Sequence, residues 1–329
     1  MKTTKLTNVA APPPSVRPLP LALALAFVST TASAGVTIDQ QPLNTQKPIP
    51  PNIWFILDDS GSMNRTYMPD TASSTGIAGT VYTRNTLSYN PAIEYIPWYN
   101  ADGTRMPDAN RTSVSNNVDR LTGSTNLTAS QQCFHVPKSP SVDHTVNNNL
   151  WRWRLNNATT ASRCNNNSDC GDNSGCTAVT SFTWTKPDGT TITRSVAQEW
   201  QNYANWYHYY RTRMKMAKAA TTRAFAGLNE QFRIGYTSIW DRNKFDIPVG
   251  TDGGLFRGAN RTTWYTNLLA ATSSGNTPLR AALDRAGQYF SSSSASGPYG
   301  PESGNAQLSC RQNFTILTTD GYWNDAQAG

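Results

Sequence analysis

The sequence is poor in charge, in histidine and in long apolar runs, and each shortage removes a class of function. Only 15% of its 329 residues are charged. Its Lys and Arg are scattered without a basic run, so the pattern lacks the phosphate-neutralising face that nucleic-acid binding needs. The formal net charge of +7 does not restore it, because Lys2, Lys5 and Arg17 lie in a leader without acids and the remainder carries about +4. His135, His144 and His208 are the only imidazoles that a nucleophilic serine could recruit as base, and no Gly-x-Ser-x-Gly elbow occurs. No stretch reaches the roughly 20 apolar residues of a membrane-spanning helix, and no internal repeat appears. What the sequence does have is material for a core. With 37% hydrophobic residues, ten Trp and fourteen Tyr, it is neither wholly disordered nor collagen nor coiled coil.

The first 34 residues have the tripartite form of a secretory signal: a basic n-region, an apolar run from Leu19 to Val28, and Ala32-Ser33-Ala34 before Gly35. The chain is therefore expected to be exported, with no transmembrane segment in its mature form. In an oxidising compartment Cys133, Cys164, Cys170, Cys176 and Cys310 are disulfide formers with one left over. The six-residue steps from Cys164 to Cys170 to Cys176 do not match the closer ligand pairs of structural zinc. The Asn/Asp-rich loops between them could hold calcium through oxygens, although the same residues make ordinary turns.

After an extended lead-in over 35–51, Asn52 to Leu57 is a continuous apolar run of strand length, as expected of a strand buried on both faces of an α/β sheet. Residues 64–197, rich in Asn, Thr, Ser and Pro with interspersed aromatics, are too long for a structureless loop. They read as an inserted subdomain of short strands and turns that contains four of the cysteines. Within it Pro187-Asp188-Gly189 is the turn of a hairpin. Trp200, Tyr203, Tyr207, Tyr210, Met214, Ala217, Thr221, Ala224 and Leu228, spaced by three and four, predict one long helix packed on the sheet. Phe232 to Ile239 reads as a second buried strand. A short helix follows around 263–269, and another from Thr277 as N-cap, with Pro278 at its first position, to Tyr289. Phe314 to Thr319 reads as the last strand.

Three fragments then share a geometry: Asp58-x-Ser60-x-Ser62 after the first strand, Thr277 at a helix start, and Asp320-Gly321 after the last strand. In a parallel α/β sheet the carboxyl ends of strands and the following helix starts lie on one edge, so these side chains converge. Two carboxylates and three hydroxyls are hard oxygen ligands. They suit magnesium first, and manganese or calcium after it, leaving a coordination position for an outside carboxylate.

Ile56 to Met63, with Thr277-Pro278-Leu279 and Thr318 to Gly321, resembles the metal-ion-dependent adhesion site of von Willebrand factor A domains. That resemblance implies a Rossmann-like, mostly parallel sheet over 52–63 and 198–329, with Asp58, Ser60, Ser62, Thr277 and Asp320 around the ion. A narrower resemblance rests on Tyr89-Asn90-Pro91, Tyr95 to Trp98, Asn202 to Met214, Asn276 to Arg280, Cys310 to Asn313 and Asp320 to Asn324. These segments are similar to the PilY family of type IV pilus tip and biogenesis proteins. The family implies an exported, non-enzymatic protein of the periplasm or outer membrane, cell surface or pilus tip (fimbrium), acting in pilus assembly, surface attachment and twitching motility. Its partners would be pilus components or a surface protein met through an acidic residue. Because that family continues into a large C-terminal β-propeller and a complete A domain has further elements after Asp320, the chain is expected to be an N-terminal fragment with an incomplete sheet. Two other readings stand beside this one: a scaffold with a vestigial metal site, and a secreted hydrolase using Ser60 or Ser62 as nucleophile.

Overall fold

A computed structural model describes residues 49–157, 159–165, 170–172, 174–302, 306–308 and 310–324; the leader over 1–34 and the lead-in up to residue 48 lie outside them. The apolar run forms strand β1 (Asn52–Leu57), and all six of its residues are buried. It is the centre of a three-stranded parallel sheet, paired on one side with β8 (Arg233–Ser238) and on the other with β9 (Asn313–Thr318). Alternate side chains of β1 enter two different cores. Ile53, Phe55 and Leu57 pack with Met214, Phe225, Trp264 and Leu268, whereas Trp54 and Ile56 pack with Leu279, Ala282 and Ala286. The first core is covered by helices α3 (Arg213–Ala226) and α4 (Gly258–Ala270), the second by α5 (Leu279–Ser291). This two-sided burial is why the run lacks a polar alternation. Gly235 of β8 permits it, since a Cβ there would stand 2.4 Å from the Trp54 ring, which instead stacks on Tyr289 at 4.1 Å. On the outer edge β9 leaves Phe314 and Ile316 exposed.

The inserted segment carries a second core. After the single-turn α1 (Gly76–Gly79), an antiparallel sheet of four strands runs β2 (Gln132–Pro137), β3 (Leu150–Leu155), β4 (Ala161–Cys164) and β5 (Cys176–Val179) in sequence order. Disulfides Cys133–Cys170 and Cys164–Cys176 staple it, and Cys310 is the one left over. The expected hairpin is β6 (Ser181–Thr185) and β7 (Thr191–Ser195), with Gly189 at φ 83° in its turn. The calcium expectation falls partly on residues outside those described. In β3 the usual polarity is inverted: Arg152 and Arg154 are buried and donate to the Asp172 carbonyl at 2.6 and 3.1 Å. Trp151 and Trp153 lie on the opposite, partly exposed face, under the Arg163 guanidinium at 4.5 and 5.8 Å.

The single long helix is instead two, α2 (Val196–Tyr209) and α3; α2 packs in the insertion core, whereas α3 puts Met214 and Phe225 into the core of the parallel sheet. Thr212 is extended (φ −125°, ψ 161°) and its hydroxyl accepts from the Lys215 N–H, so it starts a new helix rather than continuing the old one. The aromatic stripe of α2 packs in the insertion core against Tyr89, Phe134 and Trp184, not on the parallel sheet. Its start is fixed by a reciprocal Ser195–Gln198 capping box. In its first turn the fully buried Glu199 accepts from Tyr89 Oη (2.6 Å), Trp184 Nε1 (3.1 Å) and Arg194 (3.2 Å), tying helix, hairpin and insertion together. Burial pushes the Glu199 carboxyl above the usual range, against the pull of those three donors. Among the described residues no helix is long and apolar enough to cross a membrane.

Removing one member of a buried ion pair strands the other. Glu199→Ala is therefore expected to lower unfolding free energy by about 3–5 kcal/mol in urea denaturation, while Glu199→Gln, which keeps hydrogen-bonding capacity, costs less. A second expectation concerns pH. Burial, with Lys215 and Arg211 nearby, lowers the His208 pKa from 6.5 to about 4, and its Nδ1 accepts from the Ser115 N–H at 2.8 Å. Between those values the unfolded chain binds a proton that the folded chain does not, so stability falls as pH drops from 6.5 towards 4. The loss, discounted for partial exposure, is on the order of 2 kcal/mol and is read from urea midpoints at pH 7 and 4.5. His208→Gln flattens that dependence.

Candidate metal centre

Because β1 is flanked by parallel strands in register, Leu57 opposite both Ser238 and Thr318, its next residue emerges between two neighbouring loops. Asp58 is fully buried there. Its Oδ1 accepts from the Ser60 N–H at 2.8 Å and its Oδ2 from Thr319 Oγ1 at 2.7 Å. Both donors are neutral, and among the described residues no basic side chain pairs with it. The chain then turns through a short 3-10 segment, Gly61–Asn64, without spending the Ser60 hydroxyl on a cap. That hydroxyl shares a hydrogen bond with Ser62 Oγ at 2.9 Å.

Three loops close on this point through hydrogen bonds between each pair. Gly61 N–H donates to the Gly275 carbonyl at 2.9 Å and Ser274 N–H to that of Asp59 at 2.8 Å, so the Thr277 loop abuts the Asp58 loop. A Cβ on Gly61 would lie 3.2 Å from the Gly275 oxygen, which explains the small residue between the two serines. Thr319 joins the Asp320 loop to Asp58. Asn324 joins it to Thr277, whose N–H donates to Asn324 Oδ1 at 2.6 Å. That clamp corrects one reading: Thr277 is not the N-cap of α5. Its backbone is held by Asn324, Pro278 takes the cap position at φ −81° and ψ 61°, and the Leu279 N–H reaches back to the Thr277 carbonyl in a tight turn.

Two further carboxylates at this edge, Asp59 and Asp320, have guanidinium partners. Asp59 Oδ2 accepts from Arg242 at 3.0 Å; burial pushes its carboxyl up, against the pull of Ser238 and Arg242. Asp320 Oδ2 accepts from Arg213 at 2.6 Å, and Arg213 also holds Asp70, keeping that carboxyl below the usual carboxylate range. Thr319, Asn324 and Arg213 are the residues that sequence reasoning missed. Thr319 and Asn324 stand inside quoted motifs, but nothing local marks their partners, which lie 261 and 47 positions away. Among the described residues no three His, Cys, Asp or Glu side chains cluster as a metal site. The hydroxyl-rich set around Asp58 is of another kind, and its chemistry fits a small hard cation: a buried carboxylate without a counter-charge, two serine hydroxyls, and a backbone drawn close by Gly61.

No family model matches the chain, and no solved structure matches it. Curated relatives do. Two proteins described as type IV pilus biogenesis factor PilY1, from Pseudomonas aeruginosa strains PAO1 and PAK, are 29% and 28% identical over 92% of this chain. That from strain UCBPP-PA14 is 28% identical over the same share. The chain spans 26% of the length of each of these relatives.

Thr319→Val keeps the shape of the side chain but takes away a donor to a buried carboxylate. It is expected to cost about 1.5–3 kcal/mol when unfolding is measured in urea with a chelator present, and a loss under 0.5 kcal/mol would contradict the assigned role of the hydroxyl.

Proposed function

We propose that this chain, a relative of the PilY1 type IV pilus biogenesis factors, is an exported, non-enzymatic pilus-associated protein. In this reading it acts in pilus assembly, surface attachment and twitching motility at the cell envelope or pilus tip. It binds a partner's Asp or Glu through a divalent ion, magnesium first, held by Asp58, Ser60, Ser62, Thr277 and Asp320 in a von Willebrand factor A-like sheet. The observation that carries the metal reading is the buried Asp58 carboxylate at the junction of three loops, met only by neutral donors. When bound, the ion supplies a positive charge with an open position for an outside carboxylate. Asp58 orients that charge, and the two serines complete the oxygen set. Support for a role without catalysis comes from the serine hydroxyls, which bond to one another rather than to an imidazole.

One observation favours a second reading, a scaffold with a vestigial site: Asp320 is already neutralised by Arg213. The two readings part on a single measurement. Under the metal reading, magnesium or manganese at about a hundredfold excess over Kd raises the melting temperature of the purified chain by about 5 °C, and Asp58→Ala abolishes that rise. A melting temperature unmoved by either metal in the parent chain selects the scaffold.

A further inference from the structure

Arg213 is the first residue of α3, where the helix dipole opposes a cation, yet its side chain is only 2% exposed. Its position is explained by what it grips. Nε donates to the Tyr67 carbonyl at 2.9 Å, one terminal nitrogen to Asp320 Oδ2 at 2.6 Å, and the other to Asp70. The guanidinium also lies 5.6 Å from the centroid of the Tyr67 ring, and the Arg213 backbone N–H donates to the Arg65 carbonyl at 3.1 Å. One side chain therefore ties the start of α3, the 65–70 loop that follows the serine motif, and the carboxylate of the last metal-edge loop.

We propose that Arg213 is a built-in competitor of the divalent cation for Asp320, coupling metal affinity to the fastening of the 65–70 loop. The inference rests on the metal reading above. Without the metal, Arg213 neutralises Asp320 and holds the edge closed. With it, Arg213 gives up Asp320 and keeps Asp70 and the Tyr67 carbonyl. Two cations on one carboxylate repel each other and divide its single charge, so each weakens the other's hold. Coupling of this kind is reciprocal: whatever draws the 65–70 loop away from Asp320, taking Arg213 with it, raises affinity for the metal.

The test is titration of the purified chain with manganese alone by calorimetry, together with hydrogen exchange over residues 65–70. Arg213→Gln is expected to bind manganese on the order of tenfold more tightly than the parent. Arg242→Gln, which removes the same charge from Asp59 instead, shifts affinity less than threefold. Manganese accelerates exchange over 65–70 in the parent and leaves it unchanged in Arg213→Gln. Asp70→Asn, at a half-exposed position, keeps the test open should Arg213→Gln fail to fold: it removes the second carboxylate on Arg213, leaves Asp320 held more firmly and weakens manganese binding, with a smaller acceleration of exchange over 65–70. Parent and Arg213→Gln binding manganese equally, with Asp58→Ala silent, overturns the competition and leaves the metal reading standing. Absence of binding in parent and all variants overturns both.

Discussion

Strand β1 is the constraint on which the rest depends. Its backbone is paired on both sides and its side chains are buried on both faces, so it has no freedom to slip by a residue without sending Trp54 into the core built for Phe55. That rigidity fixes where the chain leaves the sheet, and hence where Asp58 stands relative to Ser238 on one side and Thr318 on the other. A buried carboxylate is costly, and it is tolerated here because the same pairing that buries it also brings Thr319 Oγ1 and the Ser60 N–H within hydrogen-bond reach. The site is thus a product of the sheet rather than an addition to it.

The insertion solves a different problem with the same means. Its core is polar at the points where elements meet: Glu199 among Tyr89, Trp184 and Arg194, and Arg152 and Arg154 on the Asp172 carbonyl. Such groups give little net stability compared with apolar side chains of equal size, but any misplacement leaves a buried charge unmet. With two disulfides restraining the loops, the arrangement accounts for a region that has turn-rich composition and yet keeps one packing. The break between α2 and α3 connects the two cores: α2 packs in the insertion core, and α3 carries Met214 and Phe225 into the parallel-sheet core while its Ala219 still packs in the insertion core.

Legibility of this fold in the sequence followed the range of the interactions. β1 shows as a continuous apolar run, β8 and β9 as short segments rich in β-branched and aromatic residues, and the β6–β7 hairpin as Pro187-Asp188-Gly189, because strand preference and turn conformation act over a few residues. The α2–α3 break was hidden because the three-and-four spacing passes through Thr212 undisturbed: both halves need an apolar face, and periodicity does not tell which core each face meets. β3 was hidden because two of its four buried residues are arginines, while its tryptophans take the partly exposed face. At the metal edge, Asp58, Ser60, Ser62 and Asp320 are marked by their place after strands, and the loop hydrogen bonds bring the segments of all five candidate residues together. Arg213 carries no such mark, since its contact with Asp320 spans 107 positions and, inside the one long helix that the spacing predicts, it resembles any surface cation.

The charge pattern at the edge separates the four carboxylates by the room around them. Asp59, Asp70 and Asp320 each meet a guanidinium. Among the described residues Asp58 meets none, and its surroundings give the reason: it is fully buried where β1 leaves between two paired strands, and the loop that follows is already hydrogen-bonded through Gly61 to Gly275. A guanidinium is a broad plane that must be approached along its edge, whereas a metal ion needs only oxygen atoms at about 2.0–2.6 Å. Neutral donors orient the Asp58 carboxylate without cancelling its charge. What would balance it in the proposed function is therefore small and hard.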